Sequence, residues 1–489
     1  MSPLPLPGGW AMMAGMCDAF SPYVVFHCNA SVPLGVGHAM RCLTLADALA
    51  ARGWRTAFAV NAEALTLVAD LTRHDQVQVP PPEPADFLVV DNYSLDAAFE
   101  APAREWARHI LVIDDLADRP HDCDLLLDQT LGRQAADYGA LVPQSCTLLT
   151  GTGYALLRPR FAQLRDTALA RRRDACRKVM ISLGGTDPGG AGRMVLDGVA
   201  QSGLALQVIM VVGRGTPGID GLRAAMGALG IDGEVREGVG DMAAVMAECD
   251  LAIGTGGTTS WERCCLGLPS LVLVTADNQT YVARMLEQWG AARVLANVGH
   301  VAQALRDLVG DHAARQRMAQ SAAVACDGLG AQRVAEAMEA RLLRLRRAGW
   351  DDSDDLLAWR NDPQTRATAR NTGLVPVENH LAWLTAVLAD PNRLLLVGEQ
   401  AGEKVGTIRF DRQDEDSWEV SITVAPSARG RGMGNRLLAA GIAIQPKLLD
   451  GGVLLATVGT GNMPSRRIFE TNGFTLVDEA EGWRHYIRR

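Results

Sequence analysis

The chain has 489 residues, of which 48% are apolar and 21% charged, and a formal net charge of −9. That composition excludes a disordered chain, and the acidic balance argues against a general nucleic-acid binder, whose surface is usually basic. It leaves nucleotides open as ligands, because backbone amides and helix N-termini hold phosphate without net positive charge. No apolar run reaches the roughly 18 residues that span a bilayer. The ten cysteines form no C-x-x-C pair, so they read as reduced, buried thiols of a cytoplasmic protein with no metal site. Residues 1–21 hold Met1, Met12, Met13 and Met16 but no Lys or Arg before them. They are expected as a disordered tail or an overlong gene start, not a secretory signal.

From Tyr23 onward, short apolar runs alternate with helical patterns. Strands are expected at Val24–Cys28, Thr56–Val60, Phe87–Asp91 and Ile110–Asp114, with a helix over His38–Ala51. Near-continuous apolar strands separated by helices predict a parallel sheet covered on both faces. The pattern restarts at Lys178–Leu183, Leu206–Val212, Asp250–Ile253 and Ser270–Val274, with helices over Ala191–Gln201 and Thr258–Leu266. The fold class expected is therefore α/β, with two Rossmann-like halves at 22–152 and 153–340. A ligand belongs between such halves, at the C-terminal strand ends. Composition changes near Arg341. Strands at Arg393–Glu399, Lys404–Asp411 and Trp418–Val424, then a helix at Gly430–Ile444, give a third α/β domain over 341–489.

Four segments of the first 340 residues carry chemistry. In the first, Gly35 and Gly37 lead into His38 at a helix start, with Arg41 one turn on. The glycines allow close backbone approach, and a neutral histidine can act as a base near pH 7. A capping or buried histidine fits the same pattern. Gly184, Gly185 and Thr186 form a second turn suited to phosphate. In the third, Gly256, Gly257, Thr258 and Ser260 open a helix that carries Glu262, which can bind a ribose diol or simply cap the helix. The fourth is Asn278-Gln279, which opens a helix toward the same cleft.

The run G-x-G-H-x-x-R-C-L-x-L-A from Gly35, with VVDNYSLD (Val89–Asp96), GYALLRPRF (Gly153–Phe161), SLGGTDP and GTGGTTSWERCCLGLPSLVL, resembles the UDP-sugar hydrolases of the pseudaminic acid pathway. That family is related in fold to GT-B glycosyltransferases of the MurG type. It removes UDP from UDP-2,4-diacetamido-2,4,6-trideoxy-β-L-altropyranose and needs no metal. The resemblance implies that His38 is the general base for water, that Tyr93 and Asn278 lie near the sugar, and that the Gly256–Glu262 loop and its neighbours, Gln279 included, hold UDP. Three other readings stay open: a GT-B glycosyltransferase with an acceptor other than water, a UDP-sugar binding module without catalysis, and a front half that targets a protein acetyltransferase.

The third domain carries Arg429, Gly430, Arg431, Gly432 and Gly434 in the pattern R-x-x-G-x-G after a strand that ends at Val424. Consecutive amides at such a turn can wrap a pyrophosphate. The segment resembles the GNAT acetyltransferase signature, as do LLAWRNDPQTR (Leu356–Arg366), VENHLAWL (Val377–Leu384) and GNMPSRRIFETNGF (Gly461–Phe474), the last with Asn462 and Ser465. The resemblance implies acetyl-CoA as co-substrate, a strand Trp418–Val424 that splays from its neighbour, and N-acetylation of an amino sugar. Glu419 fits a base acting through water, or an exposed strand carboxylate. Phe469 stands where many relatives have the tyrosine that protonates the leaving thiolate. Tyr486 is a remote substitute, so the general acid is unassigned.

Overall fold

The computed structural model describes residues 21–31, 35–172, 175–184, 190–400, 402–449 and 452–489. The chain divides into two compact units, Ser21–Ala337 and a second that begins at Met338 and runs to Arg489. Among the described residues no helix is long and apolar enough to cross a membrane.

The first unit holds two parallel sheets. Strands β1 (Tyr23–Cys28), β2 (Arg55–Ala59), β3 (Asp75–Gln76), β4 (Ala85–Asp91), β5 (Ala107–Ile113), β6 (Leu125–Asp128) and β7 (Thr147–Thr150) lie in the order β3-β2-β1-β4-β5-β6-β7. Strands β8 (Lys178–Ser182), β9 (Gln207–Val212), β10 (Gly233–Glu237), β11 (Leu251–Thr255), β12 (Ser270–Leu273) and β13 (Arg293–Leu295) lie in the order β10-β9-β8-β11-β12-β13. Every residue of β4 is buried, as both-face coverage of a parallel sheet requires. The order reverses between β1 and β4 in one sheet and between β8 and β11 in the other. Ligand crevices form at such reversals. The eight strands expected here are present with ends shifted by up to three residues. β3, β6, β7, β10 and β13 were not anticipated. They are short sheet-edge or near-edge strands, and β3 and β10 are largely exposed and carry charge, so they lack the apolar runs that mark central strands.

The second unit is built on one sheet of β14 (Arg344–Arg347), β15 (Arg393–Gln400), β16 (Glu403–Arg412), β17 (Ser417–Val424), β18 (Val453–Gly459), β19 (Thr475–Ala480) and β20 (Trp483–Arg488), in the order β14-β15-β16-β17-β18-β20-β19. All pairings are antiparallel except β17 with β18, which the helix Met433–Leu448 connects. One face buries Ile408, Phe410, Trp418, Val420, Leu454 and Phe469. The other buries Leu356, Trp359, Leu384, Leu395 and Val397 under the helices Ser353–Asn361 and Val377–Ala389. The segment Leu356–Arg366 spans two helices, Ser353–Asn361 and Pro363–Ala367. Asp362 leaves the helical conformation and accepts from the backbone of Gln364 and Thr365, and Pro363 starts the next helix.

Candidate functional site

The N-terminal side of the first unit's cleft is organised by one carboxylate. Asp91 ends β4 beside Cys28, the last residue of β1, and its side chain is fully buried. The helix Gly37–Ala50 begins just after β1 and presents residues 38, 41 and 42 on one face, as the i, i+3, i+4 spacing dictates. All three reach Asp91. His38 Nδ1 lies 2.5 Å from Oδ1, Arg41 Nε lies 2.6 Å from Oδ2 and Nη2 2.6 Å from Oδ1, and Cys42 Sγ lies 3.6 Å from Oδ2. Burial opposes the Asp91 charge, yet Arg41 and His38 hold its carboxyl well below the usual range. An acceptor-only carboxylate on Nδ1 fixes the neutral ring with its proton there and its lone pair on Nε2.

The network continues outward. Arg41 Nη1 donates to Asp115 Oδ2 at 2.9 Å, and Tyr93 OH donates to Asp115 Oδ1 at 2.8 Å. The Tyr93 ring meets His38 edge-on, with centroids 4.5 Å apart. Burial and the Asp115 charge push the Tyr93 phenol up, so it remains protonated. Arg41 lines the cleft, as a candidate nucleotide contact must, and its guanidinium is also held by two carboxylates, because at 3% exposure its charge needs them.

The opposite wall comes from β11 and the turns after it. The loop Thr255–Thr259, Glu262, Asn278, Gln279 and Tyr281 face a cleft that Gly35, Gly37, His38, Arg41, Tyr93, Asp115 and Gly184 also line, with a cavity volume of about 570 Å³. That lies within the usual range of small-ligand sites. Gly35 and Gly184 sit at φ +82° and +104°, a region that favours glycine. A Cβ on Gly256 would lie 2.9 Å from the Gln279 carbonyl, so the two turns close on each other only with glycine there. Burial pushes the Glu262 carboxyl up, against the Arg158 charge 3.8 Å away. Gln279 Oε1 accepts from Thr275 N and Oγ1, and so also stiffens its own turn. Ser260, read as a nucleotide contact, does not line the cleft. It is 1% exposed, and its hydroxyl engages Thr255 O and Arg263. The reason is its place on the inner face of the helix Thr259–Cys265. Gly185 and Thr186 lie outside the described residues.

Asp91, Asp115, Arg158, Arg214 and Tyr281 are cleft or second-row residues that sequence reasoning did not single out. Asp91 and Tyr93 both sit in VVDNYSLD, and an acid directly after the apolar run Phe87–Val90 was the available signal for Asp91. Arg158 sits in GYALLRPRF, and nothing local marks Asp115, Arg214 or Tyr281.

In the second unit, β17 and β18 pair only over Ser417–Glu419 and Val453–Leu455. Beyond Glu419 the strands part, which frees backbone groups along Val420–Val424. The turn after β17 carries Gly430 and Gly432 at φ +76° and +70°, and Gly432 caps the helix Met433–Leu448. A Cβ on Gly434 would come within 2.7 Å of Ile468 and 3.3 Å of Val424. Arg431 is exposed. Arg429 pairs with Asp362 at 2.7 Å and donates to Gln364 and Thr365, so it ties the turn to a neighbouring cap. Asn462 caps the helix Met463–Thr471 through Ser465 N at 3.2 Å. Glu419 lies 3.1 Å from Arg370. Phe469 is buried against Phe474 and Tyr486. Tyr486 is itself 1% exposed and donates to Glu470 at 3.3 Å.

Residues 342–475 match the acetyltransferase (GNAT) domain family. The N-terminal region resembles nucleotide-sugar proteins. The chain is 27% identical over 179 residues to the UDP-2,4-diacetamido-2,4,6-trideoxy-beta-L-altropyranose hydrolase of Campylobacter jejuni, covering 34% of this chain and 61% of that protein. It is 30% identical over 147 residues to the spore coat polysaccharide biosynthesis protein SpsG of Bacillus subtilis, covering 29% of this chain and 42% of that protein. It is 38% identical over 96 residues to the UDP-N-acetylglucosamine–N-acetylmuramyl-(pentapeptide) pyrophosphoryl-undecaprenol N-acetylglucosamine transferase of Thiobacillus denitrificans, covering 19% of this chain and 26% of that protein. The chain thus spans less than two thirds of the length of each of these relatives.

Proposed function

We propose that Ser21–Ala337 hydrolyses a UDP-linked 2,4-diacetamido-2,4,6-trideoxy sugar to free sugar and UDP, and that Met338–Arg489 N-acetylates the UDP-linked amino sugar that precedes it, with acetyl-CoA as donor. The observation that carries the first activity is the His38–Asp91 pair on the wall of a cleft whose opposite wall is a glycine loop. Nε2 of His38 takes a proton from water as the water oxygen bonds to the anomeric carbon. The anomeric carbon–oxygen bond breaks, and its electron pair leaves with UDP. Asp91 holds the ring tautomer and steadies the imidazolium that forms. Amides of the Gly256–Thr258 turn and of Gly184 meet the departing diphosphate, Glu262 the ribose, and Tyr93 and Asn278 the sugar.

Acetyl-CoA supplies a thioester acetyl group to the amine. The residues present suit it. The Arg429–Gly434 turn is kept open by glycines, and Val420–Val424, paired with β16 on one side, can hydrogen-bond an extended chain on the side that faces β18. Glu419 serves as base through water once released from Arg370. Phe469 has no proton to give, and the Tyr486 hydroxyl is held by Glu470.

The test supplies the UDP-linked 4-amino sugar with acetyl-CoA and follows acetylated nucleotide sugar, free sugar and UDP by mass. His38→Ala abolishes UDP release and spares UDP binding. Near-normal turnover by that variant excludes the assigned base. The 38% identity to a glycosyl transferase favours a second reading, transfer of the sugar to an acceptor other than water. Absence of free sugar in buffer without acceptor would support it.

A further inference from the structure

Arg263 is the largest side chain that the fold buries completely, at 2% exposure. Its guanidinium lies behind the Thr255–Thr259 loop, at the ends of the central strands β8 and β11. Nη2 donates to Thr255 O at 2.8 Å and to Ser260 Oγ at 3.0 Å, and Nη1 donates to Thr259 Oγ1 at 3.2 Å. Nε is buried without a partner. Among the described residues no carboxylate pairs with it. A Cβ on Gly254 would stand 2.5 Å from Nη1 and 3.1 Å from Ser182 O, so glycine at that strand position makes the room the charge occupies.

Three other buried or half-buried arginines explain themselves. Arg315 donates to Leu308 and Val309 O, Arg172 to Met246 and Cys249 O, and Arg165 to Cys265, Ala323 and Cys326 O. Each caps carbonyls at or just past a helix C-terminus, where a cation is favoured. Arg263 does the reverse. It lies against the start of the helix Thr259–Cys265, where the helix dipole is itself positive. A guanidinium stays charged in a protein, and a buried charge without a counter-ion is costly. Burial accordingly pushes its pKa down, and the neighbouring Glu262 carboxyl offsets this only in part, without a hydrogen bond.

We propose that Arg263 is a positioning residue of the nucleotide site, a buried cation whose charge is completed only when a diphosphate lies over the Thr255–Thr259 loop. The proposal rests on the nucleotide reading given above. Arg263 touches no ligand; it acts through the loop it supports. It makes the empty site electrostatically unsatisfied and makes affinity rise with phosphate charge.

The experiment measures affinities of the full-length chain for uridine, UMP and UDP by calorimetry, in wild type and in Arg263→Met, Arg263→Gln and Arg263→Lys, with melting temperatures of the unliganded proteins. One unit charge felt across about 10 Å at an effective dielectric near 20 corresponds to about tenfold in affinity. The expected result is a loss of about tenfold or more for UDP in the Met and Gln variants, a smaller loss for UMP and none for uridine. The unliganded melting temperature checks that each variant folds, since Arg263→Met also removes the donors to Thr255 O, Ser260 Oγ and Thr259 Oγ1. Arg263→Lys, which keeps the charge, retains UDP affinity. Equal losses for all three ligands, or a loss in Arg263→Lys as large as in Arg263→Gln, would overturn the electrostatic role and leave a loop brace. A wild type that binds neither UDP nor UMP overturns the nucleotide reading itself, and with it this proposal.

Discussion

Asp91→Asn separates an organised base from a histidine that merely lines a cleft. The wild-type carboxylate is acceptor-only and receives the His38 ring at 2.5 Å and two Arg41 bonds at 2.6 Å each. An amide of the same shape has one acceptor oxygen and one NH₂. With the oxygen toward His38, the NH₂ meets the Arg41 Nε–H, donor against donor. With the NH₂ toward His38, the ring must accept at Nδ1 and carry its proton on Nε2, the nitrogen assigned to water. Either arrangement loses a charge-assisted bond and leaves Arg41 only Asp115 as a counter-charge. Breaking a buried pair costs about 3–5 kcal/mol of stability, and the wrong tautomer costs about 10²–10⁴ in kcat. The assay is UDP release at saturating substrate, beside UDP affinity and melting temperature. A folded variant that keeps UDP affinity with kcat down by about 10² or more supports the dyad, whereas kcat within about tenfold of wild type refutes it. The pH sign is also fixed. The Asp91 carboxyl is depressed in the fold, so its contribution is present above the unfolded value near 3.9 and is lost only as pH falls through the folded one. Loss of activity between about pH 5 and 7 therefore does not come from Asp91.

Glu262→Gln tests the opposite sign. Burial raises the Glu262 carboxyl, so its ionised form is penalised as pH rises above the unfolded value and fully so above the folded one. At neutral pH the unliganded variant melts no lower than wild type, while UDP affinity falls about tenfold or more with the loss of a charged hydrogen bond to the ribose. Gly434→Val drives a side chain into Ile468 and Val424. Initial-rate kinetics then show acetyl transfer reduced by at least about tenfold, through a raised acetyl-CoA KM, with UDP release unchanged. Asp352 is 1% exposed and receives Arg346 at 2.7 and 2.8 Å and Lys404 at 2.9 Å. Asp352→Asn lowers the unfolding free energy of the second unit by about 3 kcal/mol in a denaturant titration.

The central strands were legible because β1, β4, β8 and β11 are buried on both faces and therefore written in continuous apolar residues. The edge strands β3 and β10 face water and carry Asp75, Gln76, Glu234 and Arg236, which look like loop. The glycine turns were legible because Gly35, Gly184, Gly430 and Gly432 take backbone angles that few other residues tolerate. Partnerships were not. Arg41 and Asp115 stand 74 positions apart, and only the crossing of β1, β4 and β5 brings them together. For the same reason Ser260 reads as a ligand contact, although the fold uses it for internal hydrogen bonding.

Asp91 and Asp115 share the single guanidinium of Arg41. Two carboxylates thus face one guanidinium on the His38 side of the cavity. The glycine side offers the Thr255–Thr259 loop beside the Glu262 carboxyl. An anionic ligand end is therefore disfavoured beside Asp91 and Asp115.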